Sequence, residues 1–166
     1  KPFDPSNKAN LTPQIQLDRF SQRRDLLNNM DIKGVSGKGA ESVEFYEGQA
    51  YDVILGSAKD AFNLEKENIK TREAYGKNAI GDQLLLARRL AEHGTRFVTL
   101  HYGGWDMHSN VGPAMKTKVP PVDKAISSFL QDVEERGMSE KILLIVTGEF
   151  GRTKLNGTVG RDHWPS

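Results

Sequence analysis

Apolar positions follow two different rhythms along this chain. In the amino-terminal part they recur at helical spacing. Leu17, Phe20, Leu27 and Met30 follow Thr12-Pro13, a threonine N-cap with proline at the first helical position, and predict a helix running to about Asn29. A glycine-rich break over 33–39 separates it from a second amphipathic helix over 42–55, with Val43, Tyr46, Ala50, Val53 and Ile54 on the inner face. Residues 59–76 are charged and predicted to be helical in pieces, stopping at Tyr75-Gly76. Residues 1–10, rich in Pro, Asn and Lys, read as an irregular lead-in. Nothing in 1–76 points to chemistry, and this stretch reads as a helical cap or insertion region packed on a larger domain.

From Ile80 the pattern changes. Asp82 is predicted to cap a helix through LLLARRLAEH that stops at Gly94. A near-continuous apolar run, RFVTLHY (96–102), predicts a strand. A second helix begins near Pro120-Pro121 and runs to Arg136, with Val122, Ile126, Phe129, Leu130 and Val133 inside and Gly137 closing it. The run KILLIVT (141–147) predicts a second strand. Runs apolar on both faces suit strands covered on both sides, and a crossover of this length makes the two strands parallel and right-handed. The predicted fold class is α/β, a three-layer α/β/α sandwich around a mostly parallel sheet, with 77–166 supplying part of that core.

Composition narrows the functional classes. The chain has 166 residues, 37% hydrophobic and 27% charged, within the range of globular domains. A net charge of +1 gives no electrostatic case for nucleic acid or an anionic membrane. No apolar run approaches the roughly 20 residues of a membrane span. The absence of cysteine excludes disulfides and thiolate metal sites, and leaves the redox compartment open. Lys1 is not an initiator methionine and Ser166 follows directly on HWP, so the chain reads as a piece of something larger.

The chemistry-bearing residues sit where the apolar runs end. The first run empties into GGWDMHSN, with Asp106 and His108; the second into GEFGRT, with Glu149 and Arg152. Asp162 and His163 follow in GRDHWP. Side-by-side parallel strands would bring these loops to one edge, where α/β proteins bind ligands. Carboxylates and imidazoles gathered at one edge call for a cation among them. Asp106, His108, Glu149, Asp162 and His163 are therefore the candidate ligands of a divalent metal ion. Oxygen and imidazole donors without thiolate suit a reactive site rather than a structural zinc; zinc, manganese, iron and calcium remain open. Arg152 is the candidate clamp for a phosphate or sulfate oxygen. His93 and His101 read as structural, and Trp105 and Trp164 as packing residues. Neither a glycine-rich nucleotide loop nor a nucleophile elbow is present.

GGWDMHSN, VTGEFGRT and GRDHWP, preceded by DRFSQRRDLL and LLLARRLAEHGTRFVTLHYGGWD, resemble the bacterial domain of unknown function 1501 family over Asp18 to Ser166. The family is grouped with alkaline phosphatases and sulfatases. The resemblance implies the α/β/α sandwich, export to the periplasm on an upstream twin-arginine signal, and a nucleophile on a strand preceding Lys1. On that pattern Asp106 and His108 match one ligand set, Glu149 a second, and His163 with Asp162 the last. Glu149-Phe150 stands where the superfamily has Asp-His, which removes one imidazole ligand. Met107 stands where Thr is usual and Lys154 where Pro is usual.

The leading expectation is a metal-dependent hydrolase of phosphate or sulfate esters, acting on an anionic small molecule or polysaccharide ester. The rival is an exported, non-catalytic binding module that has lost the complete site. Oligomeric state is left open.

Overall fold

A computed structural model of the protein describes residues 16–29, 46 and 58–164. The chain divides into two units, Lys1–Asn63 and Leu64–Ser166. In the first, α1 spans Leu17–Asn29 and α2 spans Ala58–Ala61. Tyr46 is helical, while the predicted helix start at Thr12-Pro13 and the rest of the helix over 42–55 lie outside the described residues.

The second unit is built on three helices. After a single 3-10 turn at Leu64–Lys66 come α3 (Ile69–Tyr75), α4 (Ala79–Glu92) and α5 (Val111–Glu135). The Asn68 side chain accepts from the amide of Lys70 at 2.8 Å, satisfying a donor the first turn of α3 would otherwise leave orphaned. Gly76, at φ +87°, ends that helix. Two residues later Asn78 caps α4 through the amide of Gly81, so this helix begins one turn before the predicted Asp82 cap. Gly81 is required by close approach: a Cβ there would lie 2.4 Å from the carbonyl oxygens of both Tyr75 and Gly76.

The core lies where α4 and α5 meet and α3 covers their junction. Tyr75, Ile80, Leu84, Leu85, Ala125, Phe129 and Val133 are its buried members, with Val122 and Ile126 packed against it. Leu130, expected inside, is exposed. Helix α5 starts nine residues before the predicted Pro120 and carries both prolines in its interior. Each proline removes an internal hydrogen bond. The carbonyls thus freed belong to Lys116 and Thr117, two exposed residues whose backbone water can reach.

Inside this layer sits a network of charges. Arg88 is fully buried, with Nη2 on Glu67 Oε2 and Nη1 on Glu92 Oε2, both at 2.5 Å. Its Nε lies 2.8 Å from Asp132 Oδ2 but off the line of a directed hydrogen bond, so that contact is ionic. Asp132 also accepts from Tyr75 Oη at 2.8 Å and from Arg136 Nε at 2.6 Å. Arg136 returns to Glu92 and Glu67. Burial alone would raise the Glu67 carboxyl, yet the Arg88 and Arg89 hydrogen bonds bring it down to about 2. Burial first, and Asp132 second, push the Tyr75 hydroxyl well above its ordinary value.

The α/β/α sandwich with a mostly parallel, alkaline phosphatase-like sheet is overturned. The described residues are mostly helical, and their sheet is one antiparallel pair, β1 (Gly151–Arg152) with β2 (His163–Trp164). The apolar runs 96–102 and 141–147 form no strands. Their burial alternates: Leu100, Tyr102, Ile142 and Leu144 pack against the helical core. Phe97, Leu143 and Ile145 are 85%, 83% and 72% exposed. A central parallel strand needs both faces covered and a hydrogen-bonded neighbour. The helices cover one face of these runs, and no described segment forms a ladder with either. Among the described residues no helix is long and apolar enough to cross a membrane.

Candidate metal centre

Two loops meet to build the site, and backbone contacts hold them together. The first carries Asp106 and His108 into α5; the second, 153–162, joins β1 to β2. Between them, Asn110 and Val111 amides donate to the carbonyls of Thr158 and Val159 at 3.1 and 3.0 Å. The Arg161 amide donates to the Met107 carbonyl at 2.9 Å. Gly160 is the contact point: a Cβ there would fall 2.0 Å from the carbonyl carbon of His108, so no side chain fits.

Asn156 locks this arrangement from the second loop. Its Oδ1 accepts from the amides of Thr158 and Gly160 at 3.1 and 2.9 Å. Its Nδ2 donates to the His108 carbonyl at 3.1 Å and to Asp162 Oδ2 at 3.2 Å. Thr153 Oγ1 accepts from the Asp162 amide at 2.9 Å. The Asn-Gly pair at 156–157 is the sequence signature of this turn. On the first loop, Lys118 of α5 donates to the Gly103 carbonyl at 3.1 Å. The same ammonium sits over the Tyr102 and Trp105 rings, 5.1 and 5.4 Å from their centroids. Trp105 is thus a packing residue as expected, set edge-on to Tyr102.

The ligand atoms converge on one carboxylate oxygen. His108 Nε2 lies 3.0 Å from Asp106 Oδ1, and His163 Nε2 lies 2.8 Å from the same atom. Asp106, His108 and His163 offer donors that all fall within 4.8 Å of one another, with all three residues exposed. Asp162 is one step removed: its Oδ1 holds His108 Nδ1 at 2.7 Å. A carboxylate on the far nitrogen of a ligating histidine is the usual outer support of a metal site, fixing tautomer and ring direction. Phe150 packs on the His163 ring, centroid to centroid 4.5 Å, and lies under the Arg152 guanidinium.

Arg152 reaches the site because Arg152 and His163 are cross-strand partners of the β1–β2 pair. Its Nη1 holds Asp106 Oδ1 at 2.5 Å, while Nη2 lies 3.7 Å from Glu149 Oε1. Glu149 is therefore not brought into the triad; a guanidinium stands between it and Asp106. His93 binds the carbonyl of Arg89 in its own helix, at 2.8 Å from Nδ1, away from this cluster.

The electrostatics follow from these contacts. Hydrogen bonds from Arg152, then His163, hold Asp106 well below the usual carboxylate range. The bond to Asp162 is the main cause raising His108, and its partner Asp162 is lowered by His108 and then Asn156. A carboxylate lies against each ring nitrogen of His108, which favours its protonated form. A metal ion would replace the Nε2 proton.

The donor set fits a divalent cation. One carboxylate and two imidazoles from two loops leave coordination positions open, as in catalytic rather than structural sites. Asp106, Asp162 and Glu149 exceed Arg152 in charge, so an added cation is electrostatically welcome.

The family model described as protein of unknown function (DUF1501) matches residues 2–166, and the chain belongs to that family. No curated protein and no solved structure matches it.

Proposed function

We propose that this DUF1501 member is a metal-dependent hydrolase of phosphate or sulfate esters, of the kind alkaline phosphatases and sulfatases carry out. The observation that carries this reading is the convergence of His108 Nε2 and His163 Nε2 on Asp106 Oδ1, with Asp162 behind His108 and Arg152 alongside. Asp106, His108 and His163 would hold the ion, with zinc or manganese the best match to two imidazoles and a carboxylate. When bound, such an ion polarises an ester oxygen or sharpens a water nucleophile.

The chain's own residues do the rest. Asp162 keeps the His108 Nδ1 proton in place, so that the Nε2 lone pair is the one offered. Arg152 keeps a second nitrogen beyond the one on Asp106, directed toward Glu149, and this nitrogen can bind an ester oxygen where charge develops. Glu149, an exposed carboxylate on that nitrogen, restrains the guanidinium from the other side. Thr153, by accepting from the Asp162 amide, fixes the backbone that carries both Asp162 and His163.

Metal analysis tests the centre. Protein equilibrated with zinc or manganese and gel-filtered should carry one equivalent, lost in Asp106→Ala, His108→Ala and His163→Ala. Wild-type protein that retains no ion would remove the reading. The second reading, a non-catalytic module exported to the periplasm, is favoured by Glu149 standing off the triad. It predicts stoichiometric metal without turnover of p-nitrophenyl phosphate or p-nitrophenyl sulfate.

A further inference from the structure

Beside the triad lies a groove of about 620 Å³ lined by Arg152, Thr153, Lys154, Asn156, Asp162 and Trp164. Most of its polar atoms are already spent. Asn156 uses both ends of its amide, Thr153 Oγ1 serves the Asp162 amide and the Lys154 carbonyl, and the Asp162 oxygens face His108 and Asn156. Two groups remain. The Lys154 ammonium is exposed and makes no ion pair among the described residues. The Trp164 indole, expected to be buried packing, is 53% exposed.

The reason for that exposure lies in the sheet. Trp164 pairs across the strands with Gly151. A Cβ at 151 would lie 3.4 Å from Trp164 Cβ and 3.7 Å from Cδ1, so any other residue would pack against this side chain. With glycine there, the indole has no cross-strand side chain against it. A flat apolar surface beside an unpaired ammonium and a guanidinium with donors to spare selects a ligand that is flat and apolar on one side and anionic at its edge. The groove is open to solvent rather than an enclosed apolar slot, which suits a hydroxyl-bearing ring better than a bare aromatic one.

We propose that this groove is a sugar subsite for an anionic glycan: a pyranose stacks on Trp164, and its sulfate or phosphate group binds Lys154 and the Arg152 donors not used by Asp106. The ester would then sit next to Asp106, His108 and His163. Only that last placement rests on the hydrolase reading; the binding itself does not.

The test is a titration of the full chain in chelator, read by tryptophan fluorescence in a Trp105→Phe background. The probes are N-acetylglucosamine 6-sulfate, the 6-phosphate, neutral N-acetylglucosamine, inorganic sulfate, inorganic phosphate and p-nitrophenyl sulfate. One or both charged sugars should bind at least about tenfold tighter than the neutral sugar and the free anions, and tighter than the aryl ester. The better of the two identifies the anion. Lys154→Ala, read by the same signal, should weaken it about tenfold. By calorimetry, Trp164→Ala should weaken it equally, and Trp164→Phe should retain most of it. No binding, equal binding of the neutral sugar, preference for the aryl ester, or indifference to Trp164→Ala and Lys154→Ala would each overturn the proposal. Metal content of the same preparations separates the two readings. Metal without sugar binding sinks this subsite alone, and sugar binding without metal sinks the hydrolase alone.

Discussion

The two ends of α5 use the same residue types for opposite purposes. At the carboxyl end, Asp132 and Arg136 join Arg88, Glu67 and Glu92 in a network where the central guanidinium is wholly out of water. At the amino end, Asp106, His108, Asp162 and Arg152 make equally short contacts in the open. A buried charge must be saturated by fixed partners, because an unpaired one costs several kcal/mol. An exposed charge can exchange its partner for water or an ion at little cost. In the first region the ion pairs fasten helices together. In the second, backbone contacts do the fastening, and the side chains are left available.

Breaking each region should therefore give different symptoms. The largest loss is expected from Arg88→Met, which removes the one buried guanidinium that Glu67, Glu92 and Asp132 share and leaves them to Arg89 and Arg136 nearer the surface. Chemical denaturation should show about 3–5 kcal/mol of lost stability. By the same measure His108→Ala should cost little while abolishing metal retention. Asp162→Asn comes next: removing a carboxylate behind a ligating histidine weakens metal binding about 10–100-fold. Its pH dependence sharpens the point. His108 is raised in the folded protein, so its proton competes with metal at pH values above 6.5 in the wild type, and affinity falls as pH drops. Asp162→Asn removes the main cause of that rise and should move the fall to lower pH, seen by calorimetry across pH 5–8.

Acid titration of wild type against Arg88→Met probes the helical end. Glu67 is depressed to about 2, so its stabilisation is complete above its ordinary value of 4.5 and is lost as pH falls from there toward 2. Arg88→Met should flatten this part of the curve. The smallest effect is at Val159, a β-branched residue at φ +58°. Val159→Gly should stabilise by about 1 kcal/mol in thermal unfolding, since glycine takes that conformation without strain.

Much of the helical layer was legible in the sequence. Ile126, Phe129 and Val133 face the core, Gly94 and Gly137 end their helices with positive φ, and 59–76 is helical in pieces. The early start of α5 was hidden because two adjacent prolines mark a boundary only where the freed carbonyls cannot be hydrated. The strands at 96–102 and 141–147 failed for a different cause. Apolar content reports that a segment wants burial, while a strand also needs a partner, and partnership is written elsewhere in the chain. Arg88 in LLLARRL could not be read as buried without Glu67 and Asp132, which lie far from it in the chain. At the site, the meeting of Asp106, His108 and His163 was anticipated although the reason offered for it, parallel strand ends, was not the one found. Composition shows which side chains want a cation but not their order of approach, so nothing in the sequence sets Asp162 behind His108 or Glu149 beyond Arg152.

The contact between Gly160 and the His108 carbonyl has a bearing on how such a site can vary. Main chain rests on main chain there, so the gap between the two ligand-bearing loops equals the thickness of a peptide unit and owes nothing to the size of neighbouring side chains. Residues lining the rim can drift while Asp106, His108 and His163 keep their spacing. One methyl group at position 160 would force the two loops apart.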